Sequence, residues 1–218
     1  MTQNDALFDA ICEGDRETVK KLVQKVVDEG GDVAALLRDD MIPAMTEVGE
    51  RFSANEIFVP EMLVAARAMQ AGIAIIEPIL TKSGHEPIAR VCIGSVKGDL
   101  HDIGKNLVVM MLKGAGFAVD DLGVDVPVER FEQAVQRGAQ VVCLSALLTT
   151  TKDAMRPVVN HFKGRPNVKI VVGGAVITQE YADAIGADGF GCDAPDAVRA
   201  VRRVLGVTDD AGVSHDAA

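Results

Sequence analysis

The 218-residue chain has no tryptophan, one tyrosine and seven phenylalanines, an aromatic share of only 4%. With 48% hydrophobic residues, its core must therefore be aliphatic. Basic residues are in the minority, 22 against 32 acidic, for a formal charge of −10. That balance excludes a non-specific nucleic-acid binder and a protein held on an anionic membrane surface. The acidic residues are spread along the chain and read as a solubilising surface. Cysteines are few and scattered: Cys12, Cys92, Cys143 and Cys192. No C-x-x-C occurs and no histidine lies at zinc-ligand spacing from a cysteine, which argues against a zinc ribbon or a dithiol redox motif. Cys92 and Cys143 fall inside strand-like apolar runs and read as small buried hydrophobes. The first residues carry neither a basic region nor an apolar stretch, so no signal peptide is expected. No apolar run reads as long enough to span a bilayer. A cytoplasmic protein with reduced thiols is the expectation.

What is present falls into two grammars. Residues 4–83 read as helix. Leu7 and Ile11 mark a short first helix. Asp15 can cap a second, with Val19, Leu22, Val23, Val26 and Val27 on one face, ended by Gly30-Gly31. Asp32 can cap a third run through Met41, Met45, Val48 and Phe52, with a kink or restart predicted at Pro43. From Pro60 the apolar residues Met62, Ala66, Met69, Ile73, Ile76 and Leu80 step by four and three, a helical seam. Four such helices with short connections predict an antiparallel four-helix bundle.

From Pro87 strands and helices alternate. Strands are predicted at 89–95, 118–122, 141–145, 169–172 and 189–190, with helices between and after them. Five βα units of this length predict a flavodoxin-like, doubly wound parallel sheet of order 2-1-3-4-5. The predicted domains are a helical bundle over 1–84, an α/β domain over 85–206 and a disordered tail over 207–218. Residues 82–87 read as a linker that would let the bundle swing.

The densest motif is Gly98-Asp99-Leu100-His101-Asp102-Ile103-Gly104, on the turn after the first strand. A histidine there projects from the carboxyl end of a strand, where open α/β sheets hold ligands. Asp99 stands two residues away, close enough to orient one ring nitrogen and leave the other free for a metal. Asp99 could equally serve as a helix N-cap. The predicted strand order puts Ser145 beside Asp99, followed by Leu147 and Thr149. It also brings in Gly173-Gly174 at the end of the fourth strand, where missing side chains would admit a bulky ligand. Each of these has a local reading as a satisfied turn; their convergence at three adjacent strand ends points to a site.

Gly98-Asp99-Leu100-His101-Asp102-Ile103-Gly104-Lys105-Asn106-Leu107, Ser145-Ala146-Leu147 and Gly173-Gly174 resemble the cobalamin-binding signatures of methyltransferase-type corrinoid proteins. Such proteins include the cobalamin module of methionine synthase and the small corrinoid proteins of methylamine, methanol and methoxyaromatic methyl transfer. Val48-Gly49-Glu50-Arg51-Phe52 and Ile57-Phe58-Val59-Pro60-Glu61-Met62 resemble their cap segment, so the likeness covers about residues 5–206. It implies a cobalamin or related corrinoid carried in its methyl form. His101 would be the axial cobalt ligand. Asp99 and Ser145 would form a hydrogen-bond chain behind it, and Gly104, Leu147, Thr149, Gly173 and Gly174 would line the cofactor site. Phe52 and Val59 would face the upper side of the corrin. Val59 is smaller than the leucine common at that position.

The resemblance implies a methyl carrier subunit in one-carbon metabolism, not catalytic by itself. Its partners would be a substrate-specific methyltransferase and an acceptor methyltransferase passing the methyl group to tetrahydrofolate or a thiol. A reductive-activation protein would be a further partner. The alternative is a cobalamin-binding sensor, which would usually add a DNA-binding or signalling domain. An adenosylcobalamin mutase subunit would usually lack the helical cap. A response-regulator-like domain would want an acidic cluster at its strand ends.

Overall fold

A computed structural model describes residues 5–84 and 86–207. His85 of the predicted linker, and the predicted tail from 208 onward, lie outside the described residues. The helical half begins with α1 (Asp5–Cys12) and α2 (Arg16–Asp28). Asp15 starts α2 as the sequence predicts: its carboxylate accepts from the Thr18 amide at 3.1 Å and the Thr18 hydroxyl at 2.6 Å. Asp32 does the same for α3 (Val33–Leu36), accepting from the Ala34 and Ala35 amides. The restart predicted at Pro43 takes the form of a π turn, Leu37–Met41, before α4 (Ile42–Ser53). Proline has no N–H to continue the ladder, and the Ile42 amide instead reaches back five residues to the Leu37 carbonyl. Helix α5 (Val59–Lys82) completes the bundle.

Helix α5 is long and apolar enough, by length and composition, to cross a membrane, contrary to the sequence expectation. Its stripe of Met62, Ala66, Met69, Ile76 and Leu80 is buried against the other helices, so it is the central helix of this bundle.

The second half forms a five-stranded parallel sheet, ordered β2 (Ala118–Asp121), β1 (Arg90–Ser95), β3 (Val141–Ser145), β4 (Lys169–Gly173), β5 (Gly189–Gly191). This is the order predicted from the number of βα units. The helices are α6 (Ile103–Gly114), α7 (Val128–Gln136), α8 (Met155–Phe162), α9 (Gln179–Ile185) and α10 (Ala194–Leu205). Register places Ser95, Ser145, Gly173 and Gly191 side by side at the carboxyl ends of β1, β3, β4 and β5.

Because strand side chains alternate faces, each strand feeds two cores. Cys92, Val142, Leu144, Ile170 and Val172 pack beneath α7, α8 and α9. Val91, Ile93, Val141, Cys143 and Val171 join a larger core with α6, α10 and the helical bundle. That core is continuous from Leu7 to Val201. A Cβ at Gly49 of α4 would lie 3.3 Å from Pro195 and 3.4 Å from Met111; one at Gly114 of α6 would lie 3.1 Å from Met45. The bundle is therefore not attached through residues 82–87 alone. It is a third layer packed on α6 and α10, and glycines let the helices approach closely.

Candidate functional site

The carboxyl ends of β1, β3, β4 and β5 open into a cavity of about 560 Å³. Its walls include His101, Gly104, Ser145, Gly173 and Gly174 from the sheet half, and Phe52 and Met62 from the bundle. Four polar or charged residues are buried among the described residues: Ser95, Asp99, Lys105 and Thr151. All four sit at this end of the sheet, and three of them support the His101 loop.

Asp99 is 1% exposed. One carboxylate oxygen accepts from the His101 amide at 3.0 Å and lies 2.9 Å from His101 Nδ1. The other accepts from the Leu147 amide at 2.8 Å and the Thr151 hydroxyl at 2.6 Å. Burial alone would raise the carboxyl pKa. The hydrogen bonds from Thr151, His101 and Leu147 outweigh it and hold the group well below the usual carboxylate range. An ionised carboxylate can only accept, so Nδ1 of neutral His101 carries the proton and Nε2 presents a lone pair. Nε2 has no protein partner among the described residues, and the side chain is about half exposed on the cavity wall. The Ser95 hydroxyl fixes the loop from below, donating to the His101 carbonyl at 2.5 Å.

The predicted residues divide into those brought together and those not. His101 and Asp99 pair as expected. Ser145 lines the cavity, but among the described residues it makes no hydrogen bond to Asp99. Thr151 takes that place, because the turn after β3 carries the chain back over Asp99. Leu147 contributes its amide to Asp99 and its half-exposed side chain to the wall. Thr149 is exposed and outside the wall. Phe52 reaches the cavity. Val59, the first residue of α5 and 38% exposed, does not; Met62, three residues on, does.

The glycines also differ in role. A Cβ at Gly174 would overlap the Ala146 carbonyl oxygen, and its φ of +127° suits glycine alone. Gly174 is therefore required by the close passage of two loop backbones, whatever lies in the cavity. Gly173 is held similarly, with the Gly191 carbonyl oxygen 2.8 Å from where its Cβ would be. Gly104 is the one with room: nothing lies within 4 Å of its Cβ position, on the cavity wall in the first turn of α6.

The sequence assigns no individual site role to Ser95, Thr151, Met62 or Lys105, although Met62 and Lys105 fall within the segments that carry the resemblance. Lys105 lines the cavity and is buried in an ion pair, 2.6 Å from Asp121. A hydroxyl at the last position of a strand was a usable signal for Ser95. For Thr151, three consecutive threonines offered none.

The site suits a large, mostly apolar ligand that offers one metal coordination position. The His101 ring lines the cavity, Gly104 leaves space, and the wall exposes Leu100, Ile103 and Leu147 at 71, 79 and 39%. Among the described residues no cluster of three or more His, Cys, Asp or Glu could hold a metal ion alone. A metal bound through His101 needs its other ligands from the group that carries it.

Comparison with known proteins gives the same direction. Two family profiles, each described as a B12 binding domain, match residues 89–202 and 3–77. The chain is 38% identical over 213 residues to a corrinoid protein of Desulfitobacterium hafniense strain Y51, covering 94% of this chain and 99% of that one. It is 41% identical over 205 residues to the trimethylamine corrinoid protein of Methanosarcina barkeri, covering 91% and 94%. Among solved structures, a cobalamin-binding protein from Desulfitobacterium hafniense DCB-2 superposes with a TM-score of 0.78 at 32% identity, covering 94% and 99%. The methanol:cobalamin methyltransferase complex of Methanosarcina barkeri gives 0.78 at 31%, covering 94% of this chain and 80% of that one. With both halves matched and the histidine loop intact, the chain belongs to the family of B12-binding corrinoid proteins.

Proposed function

We propose that this chain is the corrinoid-carrying subunit of a methyltransferase system, with His101 as the protein ligand to cobalt. The observation that carries the reading is that the His101 ring, held at Nδ1 by a buried carboxylate and left without a protein partner at Nε2 among the described residues, stands on the wall of the cavity past the carboxyl end of β1. When bound, the corrinoid supplies a cobalt that accepts a methyl group and gives it up again. The chain's own residues hold, orient and shield. Asp99 fixes the ring tautomer and makes the imidazole a better donor by accepting its Nδ1 proton more strongly. Thr151 and Leu147 keep that carboxylate ionised out of water. Gly104 and the exposed Leu100 and Ile103 form a surface for the apolar macrocycle. Phe52 and Met62, from the bundle, complete the wall of the cavity.

Besides His101 the cavity wall carries Asp102, Lys105, Cys192 and Asp193, and the chain matches corrinoid proteins over nearly its whole length. That supports a carrier served by other proteins: a substrate-specific methyltransferase and an acceptor methyltransferase that passes the methyl group to tetrahydrofolate or a thiol. A reductive activator of the corrinoid would complete the system, and the complex of the structural relative with a methyltransferase supports the first of these partners. The working compartment would be the cytoplasm.

The test is reconstitution with cobalamin followed by electron paramagnetic resonance of the Co(II) form. Wild type is expected to show superhyperfine splitting from an imidazole nitrogen, and His101→Ala to lose it and to release the corrinoid more readily. Splitting that persists unchanged in His101→Ala would refute the assignment.

A further inference from the structure

Two non-glycine residues have positive φ among the described residues, Asn55 and Asp125. Asp125, at φ +51°, lies in the loop between β2 and α7. It is exposed and buries no apolar group. An exposed residue held in the left-handed region needs a local cause, because core packing does not supply one. Its hydrogen bonds provide one. The Asp125 carboxylate accepts from the Gly98 amide at 2.7 Å, and the Asp125 amide donates to the Asp99 carbonyl at 2.9 Å. One residue thus holds the backbone on both sides of the Gly98–Asp99 peptide. The left-handed turn is what lets its amide and its side chain face the same short segment.

The neighbouring bonds run parallel to this clamp. The Ser95 amide donates to the Gly123 carbonyl at 3.0 Å and the Val126 amide to the Ser95 carbonyl at 2.9 Å. The Lys105–Asp121 pair ties the same loop to α6, and the Asp121 carboxylate also accepts from the Gly123 amide. These bonds hold the ends of the loop that carries His101. Within the segment the Asp99 amide donates to the Val96 carbonyl at 2.9 Å, and Asp125 supplies the two contacts that reach residues 98 and 99 from the neighbouring loop.

We infer that Asp125 is a positioning residue for the Asp99–His101 pair, clamping the backbone of residues 98 and 99 so that the Asp99 carboxylate meets His101 Nδ1. The inference rests on the reading of His101 as the ligand-bearing residue. Its test needs no cofactor, so the two can fail separately. Asparagine at 125 keeps both the acceptor and tolerance of the left-handed conformation. Glycine keeps the conformation and loses the acceptor. Alanine loses the acceptor and strains the backbone.

The measurement is the nitrogen-15 spectrum of the His101 ring in apo-protein at neutral pH, identified by its loss in His101→Gln. Wild type and Asp125→Asn are expected to show one dominant tautomer, with the proton on Nδ1. Asp125→Gly is expected to show a mixture, with at least several-fold more of the Nε2–H form, and Asp125→Ala at least as much. After reconstitution with cobalamin, the fraction of Co(II) with imidazole splitting should fall in the same order. A folded Asp125→Gly or Asp125→Ala with the wild-type tautomer would overturn the inference. Absence of imidazole splitting in wild type would instead overturn the ligand reading and leave the clamp standing.

Discussion

Asp99 keeps its charge out of water because four donor contacts surround it, two from backbone amides and two from the His101 ring and the Thr151 hydroxyl, which substitution can remove. Thr151→Val deletes one hydroxyl with little change of shape. A hydrogen bond to a charged group contributes about 1.5–3 kcal/mol, so the apo-protein should lose about that much stability in urea unfolding. Ser145→Ala should leave both stability and the His101 tautomer close to wild type, because Ser145 makes no bond to Asp99. The reverse ranking would restore Ser145 to the hydrogen-bond chain expected from the sequence. The same carboxylate sets a pH dependence. Its folded pKa lies below the unfolded value of about 3.9, so its contribution is present above that value and is lost as pH falls through the folded pKa. The stability gap between wild type and Asp99→Asn should therefore narrow as pH falls below about 4. A gap unchanged down to pH 3 would show that the charge contributes nothing to folding.

Among the elements, α6 carries the most specific expectation. Gly104 in its first turn has a helical backbone with open space in front of it, so a side chain there costs the fold nothing. Gly104→Leu should keep or slightly raise the melting temperature of the apo-protein, since glycine in a helix costs about 1 kcal/mol relative to a good helix former. It should also weaken corrinoid retention at least tenfold, because the side chain fills the wall. Retention equal to wild type would place the ligand elsewhere in the cavity. Gly174→Leu gives no such separation: its backbone clash predicts loss of the fold together with the site, visible as loss of far-ultraviolet circular dichroism or of soluble protein.

On the scale of the whole molecule, the bundle and sheet share one core. Met45 of α4 packs at Gly114, and Gly49 packs between Met111 and Pro195. Arg199 of α10 also reaches the Ser53 hydroxyl at 3.4 Å across the same junction. Apolar burial across such a layer couples the parts it joins. The full chain should therefore unfold in calorimetry as one cooperative transition, with Met45→Ala lowering it by about 2–5 kcal/mol for the whole protein. Two resolved transitions, only one of them moved by Met45→Ala, would mean that the bundle folds apart from the sheet.

Local chemistry was legible in the sequence. The caps at Asp15 and Asp32, the restart before Pro43 and the five βα units follow from short-range sterics and hydrophobic period, which a one-dimensional string records, and the 2-1-3-4-5 order follows from the topology five parallel strands most often take. So did the pairing of Asp99 with His101, two residues apart on one turn. The tertiary structure alone decided which distant groups completed the site. Thr151 lies six positions beyond Ser145, and only the path of the turn after β3 brings it over Asp99. Val59 and Met62 are one helical turn apart, and only the docking of α5 turns Met62 to the cavity. The packing of the bundle against the sheet half depends on how closely α4 approaches α6 and α10, a distance fixed by packing in three dimensions and absent from the hydrophobic pattern of any single helix.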